Sequence, residues 1–83
     1  MKVIIDESVY LFLKENKIKL SLQFKTIISH LKVNPRMYPM VTDDVNIRHF
    51  IIKNIDFCYV IDNEEIIVSD CRFKNSNLKL KIK

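Results

Sequence analysis

The chain predicts an α+β domain with the element order β-α-α-β-β-β, a helical hairpin packed on one face of a small antiparallel-rich sheet. Two observations carry this. Apolar residues recur at helical spacing up to residue 31, and past a proline-bounded loop they alternate as strands do. A length of 83 residues supports a single domain, 1–83, with a thin core.

The elements follow in order. Lys2-Val3-Ile4-Ile5 is a short β-rich run that stops at Asp6, an N-cap residue, and Glu7 then suits the positive end of a helix dipole. Val9, Phe12 and Leu13 give a helix of two to three turns, closed by Asn16 in a left-handed conformation. Leu20, Phe24, Ile27, Ile28 and Leu31 form the apolar stripe of a second helix, with Lys17, Ser21, Lys25, Ser29 and Lys32 opposite. Pro35 ends it at or before Asn34. Residues 34–46 make an ordered irregular loop. Three strands follow, Ile47–Lys53, Ile55–Asp62 and Glu65–Phe73, with turns at Asn54 and at Asp62-Asn63-Glu64. A two-residue Asn63-Glu64 turn sets Ile61 against Ile66, Tyr59 against Val68, Phe57 against Asp70 and Cys58 against Ser69. The first strand joins this meander, at its edge. Both faces of the hairpin are apolar at mid-length, so the second face is covered by something else or is a binding surface. Residues 79–83 alternate as a short strand or frayed end.

Composition narrows function. With 48% hydrophobic and 29% charged residues the chain folds and is not disordered. It holds no glycine, which excludes the phosphate-cradling loop, the dinucleotide fingerprint and the nucleophile elbow. No apolar run reaches the roughly eighteen residues of a bilayer span, and the N-terminal stretch lacks a signal-peptide pattern. A cytoplasmic protein with no membrane partner is the expectation. Cys58 and Cys71, with only His30 and His49 elsewhere, lack zinc-site spacing and read as small, buried, free thiols. No metal and no cofactor are expected. The formal charge of +4 is concentrated: residues 1–42 hold 7 basic and 3 acidic groups, residues 43–83 hold 7 of each. Every acid of the second half precedes Cys71, leaving Arg72, Lys74, Lys79, Lys81 and Lys83 as a basic strip.

The run Leu31-Lys32-Val33-Asn34-Pro35-Arg36-Met37-Tyr38-Pro39, then Ile47-Arg48, Cys58-Tyr59-Val60-Ile61-Asp62 and Ile66-Ile67-Val68-Ser69-Asp70-Cys71-Arg72, resembles the RelE/ParE superfamily of toxins from bacterial type II toxin–antitoxin systems. The resemblance covers nearly the whole chain, through short motifs in a shared order. It implies a RelE/ParE-like fold and a growth-inhibiting toxin neutralised by a cognate antitoxin. The target is DNA gyrase, bound without hydrolysis as by ParE-like members, or the ribosome and its mRNA, cut as by RelE-like interferases.

Ribose-assisted RNA cleavage needs a proton acceptor, cations beside the phosphorane and a donor for the leaving oxygen. Arg72 matches the position of an interferase arginine, with Lys74 on the same alternating face and His49 as a further catalytic candidate. Asp56, however, stands where the resemblance implies a phosphate-binding arginine, and Asn75 where it implies a tyrosine. That set is incomplete, so target binding is the leading expectation and an interferase the alternative; a non-toxic basic interaction module is a second alternative. Residues expected to face the target or antitoxin are Arg48, Arg72, Lys74, Lys79 and Lys81, with Arg48 either structural or antitoxin-facing. Tyr38 is expected to pack under its loop, His30 to face solvent, and a homodimer could cover the open sheet face.

Overall fold

A computed structural model of the chain describes residues 1–74. The alternating tail expected over 79–83, and with it Lys79 and Lys81, lies outside the described residues. Six elements run in the predicted order: β1 (Lys2–Ile5), α1 (Glu7–Glu15), α2 (Ser21–Val33), β2 (Ile47–Ile52), β3 (Ile55–Asp62) and β4 (Glu65–Phe73). The four strands form one mixed sheet in the order β1-β4-β3-β2. β1 is an edge strand, parallel to β4, while β3 pairs antiparallel with both β2 and β4.

One face of the sheet is the core. Phe50 and Ile52 of β2, Ile55, Phe57, Tyr59 and Ile61 of β3, and Ile66 and Val68 of β4 are buried there. Val9 of α1, with Phe24 and Leu31 of α2, closes over them. Phe50 stacks on Phe57 at 5.1 Å between ring centroids, and Phe24 tilts onto Phe57 at 5.2 Å. Aromatic rings thus make up much of this layer, in the tilted and offset-stacked arrangements that ring quadrupoles favour. Asp6 caps α1 as its position predicts: the Ser8 amide donates to Asp6 Oδ2 at 2.9 Å, and the Ser8 hydrogen bonds hold that carboxyl below its ordinary range.

The loop between α2 and β2 is ordered by two side chains that reach it from the core face. Arg48 donates from Nε to the Val45 carbonyl at 2.8 Å and from Nη1 to the carbonyls of Arg36 and Tyr38 at 3.0 and 2.8 Å. Tyr59, fully buried, donates its hydroxyl to the Pro35 carbonyl at 2.5 Å. Tyr38 packs as expected, its ring 5.8 Å from Phe50. The loop then runs along β2, where the His49 amide donates to Pro39 at 3.1 Å and the Val41 amide to Ile47 at 3.1 Å, covering part of that strand's outer edge.

Two turn expectations are corrected. Asn16 ends α1 but keeps φ −97°, and the left-handed residue is Lys17 at φ 55°. The Lys17 amide donates to Lys14 and the Ile18 amide to Leu13, the paired bonds of a Schellman cap. Likewise Lys53 (φ 56°) takes the left-handed position in the β2–β3 turn, beside Asn54. Only Asn63 (φ 57°) fills its predicted role. A non-glycine residue in this conformation costs about 1–2 kcal/mol.

Lys17→Gly and Lys53→Gly are each expected to stabilise the fold. The relieved strain exceeds the added unfolded-chain entropy by about 0.5–1 kcal/mol, read as a higher urea midpoint at constant slope. A second expectation concerns alkali. Burial pushes the Tyr59 phenol up from 10.0 to about 12, only partly offset by the nearby Arg48 charge. A raised folded-state pKa contributes stability that is complete below pH 10 and lost as pH rises through about 12. Tyr59→Phe should cost about 1 kcal/mol at neutral pH and remove the last phenolate transition from an absorbance titration.

Candidate functional site

No helix among the described residues lies over the second face of the sheet, and a β-bulge decides what that face displays. Pairing from the β3–β4 turn runs Asp62 with Glu65, Ile61 with Ile66, Val60 with Ile67 and Tyr59 with Val68. Ser69 is then skipped, so Cys58 pairs with Asp70, Phe57 with Cys71, Asp56 with Arg72 and Ile55 with Phe73. The predicted partners, Asp70 for Phe57 and Ser69 for Cys58, are therefore each off by one residue. Side chains alternate with a period of two, so in the unbulged register Asp70 and Arg72 would share the core face with Phe57 and Ile55. The bulge moves both to the open face and turns Cys71 and Phe73 inward. The Ser69 hydroxyl donates to the Cys58 carbonyl at 3.4 Å, and the Ser69 carbonyl accepts from the Ser8 hydroxyl at 3.3 Å, so α1 holds the bulged residue in place.

The open face is built of cross-strand rows. Ile4, Ile67, Val60 and Ile47 lie level across all four strands, each half-buried, and make an apolar band. The next row is His49, Cys58 and Asp70, and beyond it come Ile51, Asp56 and Arg72. With Val41 from the loop, these polar residues line a shallow cavity of about 150 Å³. His49 and Asp56 meet diagonally, Nδ1 to Oδ1 at 2.8 Å, with side chains 27% and 19% exposed. A carboxylate can only accept, so Nδ1 donates to Asp56 and Nε2 is the ring nitrogen left without a role in this contact.

Asp56, which the sequence marks as an obstacle to phosphate binding, thus orients the histidine. Arg72 is exposed opposite Asp56, and Asp70 lies two residues before it on the same face. Cys58 lies among these charges. Its thiol is raised by burial, then further by Asp70 and Asp56, while the Ser69 hydrogen bond and Arg72 act the other way. Cys71, turned inward, is raised to about 11, chiefly by burial. Both thiols are free, as expected, but half-buried where full burial is the expectation. Neither is a ready nucleophile. No group of three metal-ligating side chains occurs among the described residues.

Of the residues singled out in the sequence, His49 and Arg72 share the open face, and Lys74 follows the end of β4, its amide donating to Asn54 at 2.8 Å. Arg48 is not with them. It pairs with Tyr59 on the core face and its guanidinium donates to three loop carbonyls, so of its two expected roles the structural one is observed. His30 is exposed as expected, with Nδ1 3.4 Å from the Tyr38 hydroxyl. The His49–Asp56 contact escapes the sequence reading, although two residues of complementary chemistry flanking a tight hairpin, Ile51–Ile55, carry its signal.

No protein-family model matches this chain, and no curated protein or solved structure matches it.

Deleting Ser69 is expected to abolish cooperative thermal unfolding, because β4 must then carry Asp70 and Arg72 into the core or lose its pairing beyond Tyr59. Ser69→Ala keeps the extra residue and should leave a cooperative transition, lowered by about 1 kcal/mol or less.

Proposed function

We propose that the chain is a toxin-type protein of the RelE/ParE kind, a growth inhibitor neutralised by a cognate antitoxin, and that it acts by binding its target through the open sheet face. The order β-α-α-β-β-β supports this reading, with Asn34-Pro35 closing α2, Arg48 on β2, Tyr59 on β3 and Arg72 on β4. The observation that carries binding over cleavage is local charge. Arg72 is the arginine of the open face among the described residues, and it stands beside both Asp56 and Asp70. A scissile phosphate brought there would meet more carboxylate than cation. A protein surface suits the mixture better: the band Ile4, Ile67, Val60 and Ile47 supplies apolar area and the flanking charges supply register. Of the targets that the resemblance implies, DNA gyrase fits a protein-binding face.

The interferase reading keeps one specific support, the hydrogen bond that leaves Nε2 of His49 free to accept a ribose hydroxyl proton. The two part cleanly in one experiment. Induced expression in a bacterial host without antitoxin should arrest growth, with gyrase supercoiling inhibited and mRNA intact. Val60→Asp, in the middle of the apolar band, should relieve arrest and weaken target capture at least tenfold, whereas His49→Ala should change neither. Mapped mRNA cleavage abolished by His49→Ala would overturn binding in favour of the interferase. Unimpeded growth would leave the chain a non-toxic interaction module.

A further inference from the structure

The opposite side of the molecule, the helical layer, carries a second surface unrelated to the open sheet face. A groove of about 730 Å³ opens between α1 and α2 above β1. Its floor and walls are apolar: Val3 and Ile5, which the helices leave half-covered, with Leu13, Phe24 and Ile28. Lys14, Lys19, Lys25 and Lys32 form its rim, and no carboxylate among the described residues lines it. The segment 16–42 holds four lysines and Arg36 with no acid at all. Glu7 and Glu15 are the carboxylates of the helices, both on α1 and both outside the groove.

The crown of the helices adds apolar residues that are exposed among the described residues. Leu22 is 76% and Val33 86% exposed at opposite ends of α2, with Tyr10 at 56% and Leu11 at 47% on α1. Leu22 and Val33 are eleven residues apart, three turns along one stripe, spaced about 16 Å. Lys25 and Lys32 occupy the neighbouring stripe, between that crown and the groove. One surface therefore presents aliphatic tips, a tyrosine, clustered lysines and an apolar trough.

We propose that this layer docks on an anionic lipid bilayer. Leu11, Leu22 and Val33 enter the boundary between headgroups and acyl chains, the lysines face lipid phosphates, and the groove accepts an acyl chain between the helices. Peripheral docking needs no spanning helix, and no helix among the described residues is long and apolar enough to cross a membrane. Nucleic acid would answer the lysines but not the two most exposed aliphatics, which would abut phosphate. A bilayer answers both, and lysine stems lie along apolar surface while their ammonium groups reach the headgroups.

Flotation of the full chain with vesicles tests this. It should float with equal parts phosphatidylglycerol and phosphatidylcholine and stay behind with phosphatidylcholine alone. Each lysine near the surface is worth about fivefold in binding, so Lys25→Gln with Lys32→Gln should weaken it about 25-fold. Leu22→Ser with Val33→Ser should weaken it about tenfold or more, at an unchanged circular-dichroism spectrum, because both side chains are exposed. No flotation with the anionic vesicles, equal flotation with neutral ones, or indifference to the Leu22 and Val33 changes would overturn the proposal. Preferential retention of duplex DNA or of an acidic amphipathic peptide, with vesicles failing to compete, would overturn it too.

Discussion

The bulge at Ser69 is the constraint on which both faces of the sheet depend. A strand has one degree of freedom that matters here, the parity of its side chains. β4 needs two parities: Ile66 and Val68 must enter the core near the turn, and Cys71 and Phe73 must enter it further on. No straight strand can do both, because Val68 and Cys71 are three residues apart. One extra residue resolves the conflict, and its position between the apolar half and the polar half of β4 decides that Arg72 and Asp70 are solvated. Burying either would cost several kcal/mol in an apolar layer with no ion-pair partner. Selection of the bulged register therefore needs no special interaction at Ser69; the penalty of the alternative suffices, and the hydrogen bonds from Ser8 and to Cys58 only fix where the extra residue sits.

From this follows the site's character. Parity brings Arg72 level with Asp56, and the short β2–β3 turn brings Asp56 within reach of His49. The resulting cluster is polar but nearly balanced, beside an apolar band that crosses every strand. Such a face pairs half-buried apolar area with charges held at fixed positions by the strand register. On the core side the same cross-strand logic places Arg48 next to Tyr59, and there both reach out from under the helices to the loop that follows α2. The two arginines of β2 and β4 thus lie on different faces, one holding the loop that follows α2 and one exposed on the open face.

Legibility in the sequence divides along the same line. Element order, the Asp6 cap, the Asn34 stop, the edge placement of β1 and the Asn63 turn are readable because each rests on local chemistry or on a clean period. The hairpin register is readable for the four pairs nearest the turn and fails at Cys58, because a bulge has no local signature when the extra residue is a serine and not a glycine. Every later misplacement on β4 descends from that single slip. Arg48 can be named but not oriented: parity says which face a residue takes only once the core face is known, and an arginine at a core-facing position reads as an error until the loop carbonyls that accept its hydrogens are in view.

The absence of glycine ties the two sides of the molecule together. Left-handed turns fall to Lys17 and Lys53, which accept strain that asparagine or glycine would lessen. At Lys17 the Schellman bonds and the inward anchoring of Ile18 hold the conformation, and they also set where the chain leaves α1 to begin the connection to α2. That connection carries Lys19 to the rim of the helical groove, whose floor includes the half-covered Val3 and Ile5. A glycine- or alanine-rich hairpin would let the helices approach each other and the sheet, and the trough would fill. The composition that excludes nucleotide-binding loops thus accompanies a helical layer with an open apolar seam, bordered by lysines because the same chain places no acid between residues 16 and 42.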